Sequence, residues 1–137
     1  MNDKIFLDSN ILVYTYSNTE LEKQVTARKL VAENNTFIST QVLQELCNII
    51  TRKFKFSYSE ALKVIEECSL NSIVYVNSES TIRHACHIAE RYGYSFYDCM
   101  ILSSALESNC TVLYSEDLHN GQVIDNKLII KNPFLQQ

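Results

Sequence analysis

Short runs of apolar residues alternate with longer amphipathic segments along this chain. The short runs are rich in β-branched and aromatic residues, which is typical of buried strands. They fall at 4–8, 36–39, 72–77, 111–114 and 127–130. Strands that alternate with helices predict an α/β protein in which helices cover both faces of a central, mainly parallel sheet of about five strands.

The segments between these runs carry apolar residues at helical spacing. They span 21–31, 41–54, 80–92 and about 95–108. A further helix is predicted after Ser57, because Ser57 and Glu60 have the spacing of a capping box and an apolar pattern follows them. Gly93 is the expected stop of the helix over 80–92.

The length and composition of the chain favour a single globular domain over 1–137. Of its 137 residues, 46% are hydrophobic, and only two are Gly and one is Pro, so no linker or low-complexity tract marks a boundary. The apolar runs are far shorter than the roughly 20 residues that span a bilayer, and the N-terminus lacks a signal-peptide pattern. We expect a cytoplasmic protein with no membrane segment. Its five cysteines, an odd number without a Cys-x-x-Cys pair, are expected to be reduced thiols.

Four carboxylates occupy positions that packing alone does not explain. Asp8 and Asp117 follow predicted strands, at the sheet edge where α/β proteins bind ligands. Asp98 opens a helix whose start is expected near the same edge. Glu45 lies on the apolar face of its helix, and no basic residue between Lys29 and Arg52 could pair with it.

Each of these acids also has an ordinary interpretation. Asp8 suits an Asx turn, Asp117 a polar turn, and Asp98 a capping box with Ser95. Glu45 could be a glutamate at the margin of the apolar face. Four clustered carboxylates would repel one another, however, and a hard divalent cation such as Mg²⁺ or Mn²⁺ removes that conflict. Such a site indicates phosphodiester chemistry, with Asn10 and Ser115 as neutral groups that orient the carboxylates.

The sequence resembles PIN-domain ribonucleases, and among them the VapC-type toxins of toxin-antitoxin pairs. The resemblance spans almost the whole chain and is carried by four segments: IFLDSNILVY, STQVLQELCNII, YSFYDCMILSSALESNCTVLYSEDL and KLIIKNPF. It implies a PIN-like three-layer α/β/α sandwich. It also implies that Asp8, Glu45, Asp98 and Asp117 bind Mg²⁺ or Mn²⁺, with Asn10 and Ser115 as polar companions.

The same resemblance implies RNA cleavage that leaves 5′-phosphate ends, homodimerisation, and inhibition by a small cognate antitoxin whose tail enters the acidic cleft. In one respect the chain departs from many relatives, which carry a further acid two residues after the last of the four. Here that residue is His119. A single bound metal is therefore at least as well supported as two.

The net charge of −4 does not suggest a nonspecific nucleic-acid coat. The basic residues that could contact RNA phosphates are Arg52, Lys53 and Lys55. The preference of a helix C-terminus for positively charged side chains explains them equally well. Two other functions remain open. One is a PIN-like module that binds RNA or protein without cleavage. The other is a metal-dependent phosphatase of the haloacid-dehalogenase type, although such enzymes have a second Asp at the position where this chain has Asn10.

Overall fold

A computed structural model describes residues 3–135 of the chain. Its described strands form one sheet and are β1 (Lys4–Leu7), β2 (Asn35–Ser39), β3 (Ile73–Tyr75), β4 (Val112–Tyr114), β5 (Val123–Ile124) and β6 (Leu128–Lys131). The described helices are α1 (Ser9–Thr15), α2 (Leu21–Glu33), α3 (Thr40–Arg52), α4 (Tyr58–Asn71), α5 (Glu79–Tyr92) and α6 (Phe96–Glu107).

The order of strands in the sheet is β3-β2-β1-β4-β6-β5. All neighbouring pairs are parallel except β5 with β6. In register, Phe6 of β1 pairs with Phe37 of β2 on one side and with Leu113 of β4 on the other. Strands β2 and β3 lie on one side of β1, and β4, β6 and β5 lie on the other. The chain therefore changes direction between β1 and β4, and a crevice opens at the carboxyl ends of these two strands, where sheets of this kind bind ligands.

This architecture confirms the predicted α/β class, and the sheet has six strands where about five were expected. The additional strand, β5, has only two residues and is followed by Asp125 and Asn126 in the left-handed backbone region. A two-residue strand is too short to leave a periodic pattern in the sequence. The predicted capping box of Ser57 and Glu60 is present, and Gly93 ends α5 in the left-handed conformation.

Helix α1 was not predicted. The apolar residues that follow Asp8 in the sequence belong to a seven-residue helix, with Asp8 as its N-cap. Helix α2 was predicted, but Leu21 and Val25 on it are 61% and 66% exposed, and the helix buries Ala27 instead.

The hydrophobic core lies between the sheet and the helices. Phe6 and Leu113 of neighbouring strands are fully buried, as are Leu46 and Ile50 of α3. Helix α6 is buried almost all round, from Cys99 to Ala105. Over the described range, the five cysteines are free. No helix within residues 3–135 is both long and apolar enough to cross a membrane.

Candidate functional site

Asp8 lies in the crevice between β1 and β4. It follows the last residue of β1, and its backbone N–H donates to the carbonyl of Tyr114 in β4 at 3.1 Å. Its Oδ1 accepts a hydrogen bond of 2.7 Å from the backbone N–H of Ser9, which caps α1. Its Oδ2 accepts a hydrogen bond of 2.8 Å from the Ser115 hydroxyl. The carboxylate is only 6% exposed, although no cation pairs with it among the described residues.

Asn10 joins Asp8 to the segment that follows β4. Its side-chain Nδ2 donates to Asp117 Oδ2 at 3.1 Å and lies 3.5 Å from both Asp8 Oδ2 and Ser115 Oγ. Its Oδ1 accepts from the backbone N–H of Glu116 at 3.3 Å, which fixes the orientation of the amide. Asn10 therefore contacts both carboxylates and Ser115 contacts that of Asp8, while their role beside a bound ligand stays a prediction.

Glu45 and Asp98 come to the same edge of the sheet from two helices. Helix α3 begins directly after β2, and α6 begins beside it, because Gln41 Nε2 donates to the carbonyl of Tyr97 at 3.1 Å. The same nitrogen lies 3.4 Å from Glu45 Oε2. Ser95 caps α6 through the N–H of Asp98, but no capping box forms there within the described chain, so the Asp98 carboxylate is not used as a cap.

The charge of Asp8 is affected by its burial and by two of the other acids, Glu45 and Asp117. Burial raises the pKa of its carboxyl to about 6 from the ordinary 3.8; hydrogen bonds from Ser115 and Ser9 oppose this rise, and the charges of Glu45 and Asp117 add to it. A buried carboxylate is normally paired with a cation or bound to a metal. Asp8 thus holds its negative charge at a free-energy cost that a bound cation would remove.

The donor chemistry of this edge fits a hard divalent cation. Carboxylate oxygens are the ligands that Mg²⁺ and Mn²⁺ prefer, and Gln41 adds a buried amide oxygen for which the described residues provide no donor. The ligand shell is not preformed, since no three acidic, His or Cys side chains within residues 3–135 are grouped closely enough to hold an ion.

The basic residues predicted to contact RNA do not lie beside the acids. Arg52 is the last residue of α3, and Lys53 and Lys55 follow it. Because α3 rises about 1.5 Å per residue, Arg52 lies roughly 10 Å along the helix axis beyond Glu45 and roughly 18 Å beyond the start of the helix at the acidic edge. A role in RNA binding for these residues stays a prediction, and it would involve a surface at some distance from the carboxylates.

Sequence reasoning did not find several residues that organise this edge. Gln41 links α3 to α6, and Tyr94 accepts from the backbone N–H of His119 at 3.1 Å. Glu116 is bound by Lys23 Nζ at 2.5 Å and by the Tyr14 hydroxyl at 2.6 Å. These contacts join residues that are far apart in sequence and have no shared spacing, so no signal in the chain marks them.

Comparison with protein-family models gives a match to the PIN domain over residues 5–122. The chain belongs to the PIN domain family. No curated protein matches its sequence significantly.

Solved structures with the same fold include VapC toxins. A toxin-antitoxin complex from Klebsiella pneumoniae matches with a TM-score of 0.72 at 17% identity, covering 95% of this chain and 98% of that one. VapC20 of Mycobacterium tuberculosis, a toxin that cleaves the sarcin-ricin loop, matches with a TM-score of 0.68 at 18% identity, over 82% and 89% of the two chains. VapBC2 of Rickettsia felis, bound to DNA of its promoter, gives 0.68 at 21% identity, over 94% and 98%.

Proposed function

We propose that this protein is a Mg²⁺- or Mn²⁺-dependent endoribonuclease and the toxin of a toxin-antitoxin pair. The observation that carries the proposal is the junction of Asp8 and Asp117 through Asn10 in the crevice between β1 and β4. This arrangement of two carboxylates and an orienting amide suits a metal ion and a phosphate, because no cation among the described residues neutralises the carboxylates. Membership of the PIN domain family supports the same conclusion.

In this proposal Asp8, Glu45, Asp98 and Asp117 hold the ion. A bound divalent ion would activate water, orient the scissile phosphate and neutralise charge on the leaving oxygen. Asn10 and Ser115 keep the Asp8 and Asp117 carboxylates in place through the hydrogen bonds described above. The cap that Asp8 forms on α1 holds its Oδ1, while Oδ2 faces Ser115 and Asn10.

Substitution of the acids tests the proposal. Asp8→Asn and Asp98→Asn should each abolish cleavage of RNA in Mg²⁺ or Mn²⁺ and abolish growth inhibition on expression, while circular dichroism shows an intact fold. Glu90→Gln is the matched control, because Glu90 is an exposed acid on α5, and it should leave both activities unchanged. Full activity of either purified site variant would disprove the proposal.

Two measurements separate this function from its alternatives. A phosphatase that forms an aspartyl intermediate would carry phosphate on Asp8 after incubation with a phosphate ester, and we expect none. A module that binds without cleaving would show no binding of Mg²⁺ or Mn²⁺ at millimolar concentration by calorimetry, whereas we expect the wild-type protein to bind and Asp8→Asn to lose most of that binding.

The proposed partners are an RNA substrate, a small cognate antitoxin and a second copy of the chain. Several solved structures with this fold are toxin-antitoxin complexes, which supports the antitoxin. The homodimer can be tested by light scattering of the purified protein. For the antitoxin, a short reading frame directly upstream of the gene should encode a protein that copurifies with this chain and restores growth.

A further inference from the structure

An open groove of about 630 Å³ lies next to the acidic edge of the sheet. Two short segments line it, 92–94 and 119–122. The volume falls within the range of about 300–1,000 Å³ that is usual for small-ligand sites. None of the residues that line the groove is acidic.

The two walls of the groove belong to the segments that carry Asp98 and Asp117. Tyr94 directly precedes the cap of α6, and His119 stands two residues after Asp117. Tyr94 joins these walls, since its hydroxyl donates to Gln122 Oε1 at 2.5 Å and accepts from the backbone N–H of His119 at 3.1 Å. The two walls are therefore held together next to the segments that carry Asp98 and Asp117.

The side chains of the groove have the chemistry that recognises an unpaired nucleotide. Two half-buried tyrosines, Tyr92 and Tyr94, provide aromatic surface, and Gln122 and the exposed His119 provide hydrogen-bonding groups. Unpaired bases are commonly held by aromatic stacking and by side-chain hydrogen bonds to their edges. The backbone is also accessible here, because a Cβ at either Gly93 or Gly121 would meet no atom within 4 Å.

We infer that this groove binds one unpaired ribonucleotide next to the scissile phosphate, with His119 and Gln122 as the groups that contact it. The choice of RNA rests on the proposed function, whereas the groove itself is a feature of the fold. A nucleotide held there would align the next phosphate of the same strand with the carboxylates.

The test compares His119→Ala and Gln122→Ala with the wild-type protein and with His87→Ala, the matched control. His87 is an exposed histidine on α5 that lines a different cavity. Each groove variant should raise KM for a single-stranded oligoribonucleotide about tenfold while kcat stays within about twofold. Calorimetric titration with Mn²⁺ should give the wild-type affinity, because neither side chain is placed among the ligands.

A second measurement does not depend on cleavage. A thiouridine-substituted single-stranded oligoribonucleotide, irradiated with the wild-type protein in EDTA, should crosslink to residues within 92–94 or 119–122, as mapped by mass spectrometry. Crosslinks elsewhere, or unchanged KM in both groove variants, would overturn the inference and leave the nuclease proposal standing. If the wild-type protein cleaves no RNA, the nuclease proposal fails, and the crosslinks alone decide whether the groove binds a nucleotide.

Discussion

The ammonium group of Lys23 lies 2.5 Å from the carboxylate of Glu116, although the two residues belong to α2 and to the segment after β4. Tyr14 of α1 donates to the other oxygen of the same carboxylate at 2.6 Å. Partial burial opposes ionisation of Glu116, but these two hydrogen bonds hold its pKa below the ordinary value. The backbone N–H of Glu116 in turn orients Asn10. Lys23 thus helps to position Asp8 and Asp117, although it contacts neither of their carboxylates.

Lys23→Met should lower the kcat for RNA cleavage roughly tenfold. The variant loses the ion pair that attaches the segment carrying Asp117 to α2, and catalysis is sensitive to small displacements of the reacting groups. The loss of stability should be small, about 1 kcal/mol, since the pair is partly exposed. Cleavage kinetics and urea unfolding measure the two effects.

Arg83→Met is the matched control for Lys23→Met. It removes the ion pair of Arg83 with Glu79, which lies on the exposed face of α5. This variant should keep the wild-type kcat and lose even less stability. An equal fall in kcat in both variants would show that general loosening of the fold, rather than the position of Glu116, is responsible.

The stability of the metal-free protein should depend on the charge of Asp8. Its pKa is raised to about 6 on folding, so the folded state binds the proton more tightly than the unfolded chain does. The free energy of unfolding should therefore fall as the pH rises from about 4 to about 6, by an amount on the order of 2 kcal/mol. In EDTA, Asp8→Asn should remove this dependence and be the more stable protein at pH above about 7.

Urea unfolding of both proteins across this pH range gives the comparison. The difference in stability should shrink toward acid pH, where the Asp8 carboxyl is neutral in both folded and unfolded states. Addition of Mn²⁺ at neutral pH should stabilise the wild-type protein and have little effect on the variant. Parallel pH profiles for the two proteins would show that Asp8 is not the group that titrates.

Asn10→Ala should reduce kcat at least tenfold, with little change in stability, because the variant loses the donor that joins Asp8 to Asp117. Asn10→Asp should be more damaging, since it replaces that donor with a further negative charge. Asn48→Ala removes an exposed amide from α3 and serves as the control. Wild-type cleavage by both Asn10 variants would exclude an orienting role for this residue.

The thiols should react in the order of their exposure. Cys86 is exposed and Cys47 is half-buried, whereas Cys68, Cys99 and Cys110 are buried. Burial raises the pKa of Cys68 to about 11 and that of Cys110 to about 12, which further suppresses their thiolate forms. Titration of the folded protein with a chromogenic disulfide should therefore show one fast thiol, and Cys86→Ser should remove it. Several fast thiols in the folded protein would contradict this order.

The longer elements of the fold could be predicted because their apolar periodicity matches the core that they form. Val42, Leu46 and Ile50 recur at helical spacing and are all fully buried on α3. Helix α1 escaped prediction because its consecutive apolar residues have the same pattern in a buried strand and in a short helix. The distinction depends on Asp8, whose side chain caps the helix.

The predicted site residues differ in how far the chain itself could indicate them. Asp8 and Asp117 follow strands, and the rule that ligands bind at the carboxyl ends of a parallel sheet places them together. The contact of Gln41 with Tyr97, which brings α3 to α6, depends on tertiary packing between segments that are 56 positions apart. No local pattern encodes such a contact, so the sequence marks Glu45 and Asp98 as unusual acids one by one but does not show the packing that brings α3 to α6.

The order of strands in the sheet has a consequence for synthesis of the chain. Ser115, the hydrogen-bond partner of Asp8, is made 107 positions after it, and β4 must pair with β1 before the two meet. At a translation rate of about 5–20 residues per second, that interval is roughly 5 to 20 s. Throughout this time the growing polypeptide lacks one side of the crevice, because β4 and the segment that carries Ser115 have not yet been made. A nascent chain on the ribosome, surrounded by RNA, is therefore incomplete at the carboxylates until the segment that follows β4 has been made.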